Sequence, residues 1–154
     1  MIKKKINIAI FLLIFLNCKA FSLENIFTVY KIDNEIITNI DIENESRYLI
    51  ALNNELEILD SKKILELAKT SIIKEVIKKN ELLKYYKLNQ DNPYVDELIK
   101  KFYTRLELNN EAEFKKFLEN YNLTVRTVKK KIEIETTWNQ LIYEKYNNQV
   151  NINV

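Results

Sequence analysis

The chain of 154 residues contains no glycine. A P-loop, a dinucleotide-binding fingerprint and a nucleophile elbow each need a backbone that only glycine allows, so all three are excluded. Turns that glycine usually makes fall instead to Asp and Asn, which tolerate positive φ better than other residues. Histidine is also missing, which removes Ser-His-Asp and Cys-His catalysis and the ordinary zinc sites. The single cysteine, Cys18, has no partner for an internal disulfide.

The N-terminus reads as an address. Lys3, Lys4 and Lys5 form a basic region, and Ile6 to Leu16 is apolar apart from Asn7. Ala20 and Ser22 are small residues at the −3 and −1 positions of a cleavage site after Ser22. This is the layout of a cleavable secretory signal over residues 1–22, and the apolar run is about half of the ~20 residues a spanning helix needs. Asn17 is bulky for the position before a lipidated cysteine. The chain has 24 basic and 22 acidic residues; removing residues 1–22 takes away Lys3, Lys4, Lys5 and Lys19 and no acid, leaving 20 and 22. The exported protein is therefore slightly acidic and free of thiols, and the lysine pairs interleaved with Glu read as solvated helix faces, not a nucleic-acid footprint.

Residues 26–32 and 35–38 are rich in β-branched and aromatic residues, and Asp33-Asn34 suits a two-residue turn, so a short β-hairpin is expected. Thr38, with Asp41 three residues on, caps a helix to about Glu57, with Ile42, Leu49, Leu52, Leu56 and Leu59 on its apolar stripe. Asp60 or Ser61 caps a second helix to about Lys87, with Leu65, Ala68, Ile72, Val76, Leu83 and Tyr86 inward. Asn89 to Asn92 is a polar break, and Pro93 opens a third helix that turns Val95, Leu98, Phe102 and Leu106 one way and stops at Asn109-Asn110. A short helix from Glu111 to Tyr121 turns Phe114, Phe117, Leu118 and Tyr121 inward, and Asn122 ends it in a left-handed residue. Thr124 caps a last long helix to about Asn147.

That last helix carries two stripes. Val125, Val128, Ile132, Tyr143 and Tyr146 fall on one side of the wheel, and Ile134, Trp138 and Leu141 fall nearly opposite. An ordinary surface helix shows one stripe. Two stripes mean a helix buried on both sides, or one whose second side meets a partner. The second alternative makes Ile134, Trp138 and Leu141 the candidate residues for binding a client or a partner.

The run Asp33-Asn34-Glu35-Ile36-Ile37-Thr38-Asn39-Ile40-Asp41-Ile42 resembles the opening motif of the SurA-like periplasmic chaperones. The order that follows is similar too: a long helix, a helix opening at a polar-Pro step, a short Phe-containing helix (Phe114-Lys115-Lys116-Phe117-Leu118), and a loop into a long final helix. The resemblance covers about residues 26–153. Asn122 and its neighbours stand where that family usually has glycine. Val150-Asn151-Ile152-Asn153 resembles the stretch that leads into the family's first parvulin-type prolyl isomerase domain, and residues 150–154 are read as the start of such a domain, itself absent from the sequence.

The resemblance implies a mainly α fold, with a short N-terminal β-hairpin followed by about five helices, over residues 23–149. It implies an ATP-independent periplasmic holdase without prolyl isomerase activity, whose partners are unfolded exported polypeptides, outer-membrane proteins among them. Such a protein needs no cofactor or metal, binds no nucleic acid and is not inserted in the membrane once the signal is removed. Nine tyrosines fit adaptable contact with such clients, although ordinary core and boundary roles account for each one singly. In the family this module is completed by a distant C-terminal segment. The alternative function is therefore a structural or assembly subunit that needs a partner, or a second copy as a homodimer, to complete its helices. An enzyme is not expected, because no pair of acids or lysines stands out from surface salt pairs.

Overall fold

A computed structural model describes residues 25–147 of the chain. Strands β1 (Thr28–Ile32) and β2 (Glu35–Thr38) form an antiparallel hairpin, followed by helices α1 (Asn39–Leu52), α2 (Ser61–Leu82), α3 (Pro93–Arg105), α4 (Glu111–Glu119) and α5 (Val125–Tyr146). A 3-10 turn, Asn54–Ile58, follows α1. The mainly helical class and the hairpin-then-five-helices order are as the sequence indicates. The expected signal at residues 1–22 and the tail at 150–154 lie outside the described residues.

Local chemistry explains most of the boundaries. Asp33 takes φ 52° at the hairpin turn, and Asn122 takes φ 54° after α4, so Asx residues supply both left-handed turns. Asn89 and Glu107 also have positive φ. Thr38 and Asp41 form a reciprocal capping box at the start of α1, with the Asp41 carboxylate accepting from the Thr38 N–H at 2.8 Å. Asp60, Asn92, Asn110 and Thr124 cap the other four helices, and Pro93 sits in the first turn of α3.

Several helix ends differ from the sequence reading. The first helix stops at Leu52, not Glu57, because Asn53 turns extended and its side chain caps the 3-10 turn through the Glu55 N–H. The second stops at Leu82, not Lys87; the chain tightens there into i→i+3 turns such as Tyr85 N–H to the Leu82 carbonyl. α3 ends at Arg105 before left-handed Glu107, so Asn109-Asn110 does not stop it, and Asn110 instead opens α4. α4 ends at Glu119, two residues before Tyr121.

α1 and α2 pack side by side with the hairpin across them, α3 and α4 lean on the first half of α5, and α5 also runs along α2. The core falls into three buried groups. One joins Ala51, Ile99, Phe114, Leu118, Leu123 and Val128, with Phe102 and Tyr103 rings 5.8 and 5.9 Å from Phe114. A second joins Ile37, Ile42 and Ala68 under the hairpin. A third joins Leu82, Ile134 and Leu141 at the far end of α2 and α5. On α2 the buried line is Ile64, Ala68 and Leu82, while Leu65 and Leu83 are exposed. The line is rotated by one residue from the sequence reading at both ends.

Candidate functional site

The two stripes of α5 are buried one after the other along the helix. Its first half turns Val128 into the group with Phe114 and Leu118, with Val125 and Ile132 beside it. From the middle of the helix onward, Ile134 and Leu141 turn onto Leu82 of α2. Ile134 is 6% exposed and Leu141 4%. The strip is therefore closed at these two positions, which are core residues, as in the first of the two alternatives, a helix buried on both sides. Trp138 is half-buried at the edge of the same group. Tyr143 and Tyr146, on the same side of the wheel as Val128, are exposed, because α3 and α4 cover only the beginning of α5.

A groove of about 420 Å³ is open at this end, between the C-terminal ends of α2 and α5. Trp138 and Leu141 line it together with Ile77, Ile142 and Tyr146, which are exposed. Its remaining lining is polar: Asp33 of the hairpin turn, Asn80, Glu81 and Lys84 of the α2 end, and Lys145 of α5. Lys84 pairs with Glu81 at 2.5 Å, and that hydrogen bond holds the Glu81 carboxyl below its ordinary range. Lys145 lies 3.3 Å from the Tyr85 hydroxyl and 4.4 Å from the centre of its ring. The hydrogen bond to Tyr85 pushes the Lys145 ammonium up from its ordinary range. The site thus joins an apolar and aromatic floor to a rim of fixed charges.

A second polar assembly lies where α1, α2 and α5 meet. Glu45 is 2% exposed; one carboxylate oxygen accepts from Ser71 Oγ at 2.7 Å and the other from Lys131 Nζ at 2.5 Å. Lys131 also bonds the Glu75 carboxylate, and its ammonium stands 4.8 Å from the centre of the Tyr48 ring. Burial first, then the Glu45, Glu75 and Glu135 carboxylates, raises the Tyr48 phenol far above its ordinary range. The buried charges are satisfied by one another, so this assembly acts as a pin between three helices and offers no open position to a substrate. Glu133 is a second pin: nearly buried on α5, it accepts the Asn89 N–H at 2.8 Å and ties the α2–α3 loop to α5.

Trp138 and Leu141 of the groove lining are among the candidate residues of the sequence reading; the rest of the lining and the pin are not. Ile77, Ile142 and Lys145 lie off the lines that reading followed. The pin had a signal: Glu45 occupies the apolar stripe of α1 between Ile42 and Leu49, where a carboxylate needs a partner. Among the described residues no three His, Cys, Asp or Glu side chains come together as a metal site. None of the helices among them is long and apolar enough to cross a membrane. The chain matches no protein-family profile, no curated protein and no solved structure.

Proposed function

We propose that the protein is an ATP-independent periplasmic holdase for unfolded exported polypeptides, outer-membrane proteins among them, with no isomerase activity of its own. The observation that carries this reading is the groove at the α2–α5 end, where Trp138, Ile77, Ile142 and Tyr146 are offered beside a polar rim. An apolar surface of that kind is more often an interaction site than an accident of folding. Without ATP a chaperone can only shift populations, by binding the unfolded state and keeping its apolar segments from one another. Apolar side chains give that contact little sequence preference, and the polar rim can hydrogen-bond an extended backbone. The basic and apolar start of the chain, with Ala20 and Ser22, supports export and removal of residues 1–22.

The test is light scattering of an unfolded outer-membrane protein diluted out of denaturant. The protein delays aggregation in proportion to its amount and without nucleotide. The reading fails if aggregation proceeds at the same rate with and without it. Mass spectrometry of the periplasmic protein finds Leu23 at the N-terminus; intact Met1 in the inner membrane would mean an anchor.

A further inference from the structure

Several exposed apolar side chains lie at the α2–α5 end. Ile77, Ile142 and Tyr146 line the groove, Tyr143 lies one turn before Tyr146 on α5, and Tyr85 carries Lys145, which also lines it. The geometry points to a second copy of this chain as the partner that covers this surface, in a two-fold dimer.

Area is the first reason. Ile77 is 52% exposed, Tyr146 48% and Tyr143 66%, and Tyr85 and Ile142 are exposed as well. Large side chains bury roughly 150–250 Å² each, so these five leave on the order of 500 Å² of side-chain surface per copy. Two copies then bury about 1,000 Å² before the rim is counted, which is where specific interfaces begin.

Charge is the second reason. The groove is lined by two acids, Asp33 and Glu81, and two lysines, Lys84 and Lys145. A neutral rim gives no advantage to nucleic acid or an anionic membrane, which need a basic surface. The signs are also divided between the walls. Lys84, just past the end of α2, and Glu81 satisfy each other at 2.5 Å. Asp33 on the hairpin wall is hydrogen-bonded only loosely, by Asn80 at 3.4 Å, and Lys145 on the α5 wall stands 3.7 Å from Glu81. A two-fold contact is isologous, so an Asp33–Lys145 pair formed across it is formed twice. The second copy covers the same groove that the proposed function gives to clients, so the two compete for it, and the dimer itself rests on this surface and not on client binding.

Sedimentation equilibrium of the purified protein tests it. The protein sediments at twice the monomer mass at micromolar concentration and dissociates on dilution. Ile77→Lys and Tyr146→Lys, both at exposed positions, each weaken the dimer about tenfold or more, with circular dichroism unchanged. Ile58→Lys, at the exposed 3-10 turn away from the groove, leaves it intact. Asp33→Lys and Lys145→Glu each weaken it, and the two together restore it in part. A monomer at every concentration overturns the proposal, as does an Ile58→Lys effect equal to that of the groove variants. A monomer that still delays client aggregation refutes the dimer and leaves the holdase standing; a dimer without that activity does the reverse.

Discussion

Lys131 Nζ lies 2.5 Å from a carboxylate oxygen of Glu45, although 86 residues separate the two along the chain. Glu45 sits on the buried side of α1, and Lys131 on α5 also bonds Glu75 on α2. Three helices that could slide past one another along apolar faces are thereby held in one register. The groove at the far end of α2 and α5 depends on that register, because two of its walls, α2 and α5, belong to the three pinned helices.

Breaking the pin from one side leaves a buried charge without its partner, which typically costs about 3–5 kcal/mol. Lys131→Met strands two carboxylates and falls in that range. Glu45→Gln keeps an acceptor for Ser71 and leaves Glu75 facing Lys131, so it costs less, about 1–3 kcal/mol. Urea unfolding followed by circular dichroism gives both values, and the reverse ranking would mean that Lys131 is not the hub.

Stability falls in alkali for a reason located at the same junction. Burial, then the nearby carboxylates, holds the Tyr48 phenol protonated above its ordinary range. Burial lowers Lys131, but the attraction of Glu75 and Glu45 outweighs it and the ammonium is raised overall. Both groups thus bind protons more tightly in the folded state. Near pH 10 and above, the unfolded chain releases protons that the folded one keeps, and the free energy of unfolding drops as pH rises. Between about pH 7 and 9 neither group contributes a slope. Urea titrations at several pH values show this break, and Tyr48→Phe makes the alkaline fall shallower.

The absence of glycine leaves a correctable cost at Glu107, which takes φ 61° just after α3. A left-handed conformation costs roughly 1–2 kcal/mol for a residue with a Cβ and no Asx side chain. Glu107→Gly recovers about 1 kcal/mol of that, after the entropy that glycine adds to the unfolded chain. The same change at Asn122 gains less, because asparagine already tolerates its φ of 54°. Thermal melts of the two variants separate the effects.

Thr38→Ala removes the hydroxyl that accepts the Asp41 N–H at 3.3 Å and donates to its carboxylate at 2.6 Å. Loss of such a cap costs about 1 kcal/mol. Because the same residue ends β2, amide exchange in the variant quickens in the first turn of α1 and in the hairpin together. Faster exchange in the helix alone would show that the two elements are not joined through the cap.

What the sequence made legible is what local chemistry decides. Asp33, Thr38, Pro93, Asn122 and Thr124 each act within a few residues of themselves, and each does in the structure what its side chain allows. The helix ends at Leu52 and Leu82 were illegible because the residues beyond them keep helical spacing while the backbone tightens into 3-10 turns. Which of Ile64 or Leu65, and which of Leu82 or Leu83, turns inward depends on neighbours on other elements. The site divides in the same way. Trp138 was legible as the edge of an apolar patch, but Ile134 and Leu141 were not separable from it on a wheel that cannot show where α2 ends. The Glu45–Ser71–Glu75–Lys131 pin spans three helices, and of its members only Glu45, a charge on an apolar stripe, left a mark in the sequence.

Trp138 is the single tryptophan of the chain and stands at the edge of the proposed client groove, so its fluorescence is an internal reporter. The decisive measurement is a titration of the protein with one outer-membrane polypeptide, held unfolded in one series and folded in the other. The account predicts a saturable change in Trp138 emission with the unfolded form, abolished in Ile77→Lys, and none with the folded form. An equal response to both forms, or none to either while the protein remains folded by circular dichroism, would contradict it.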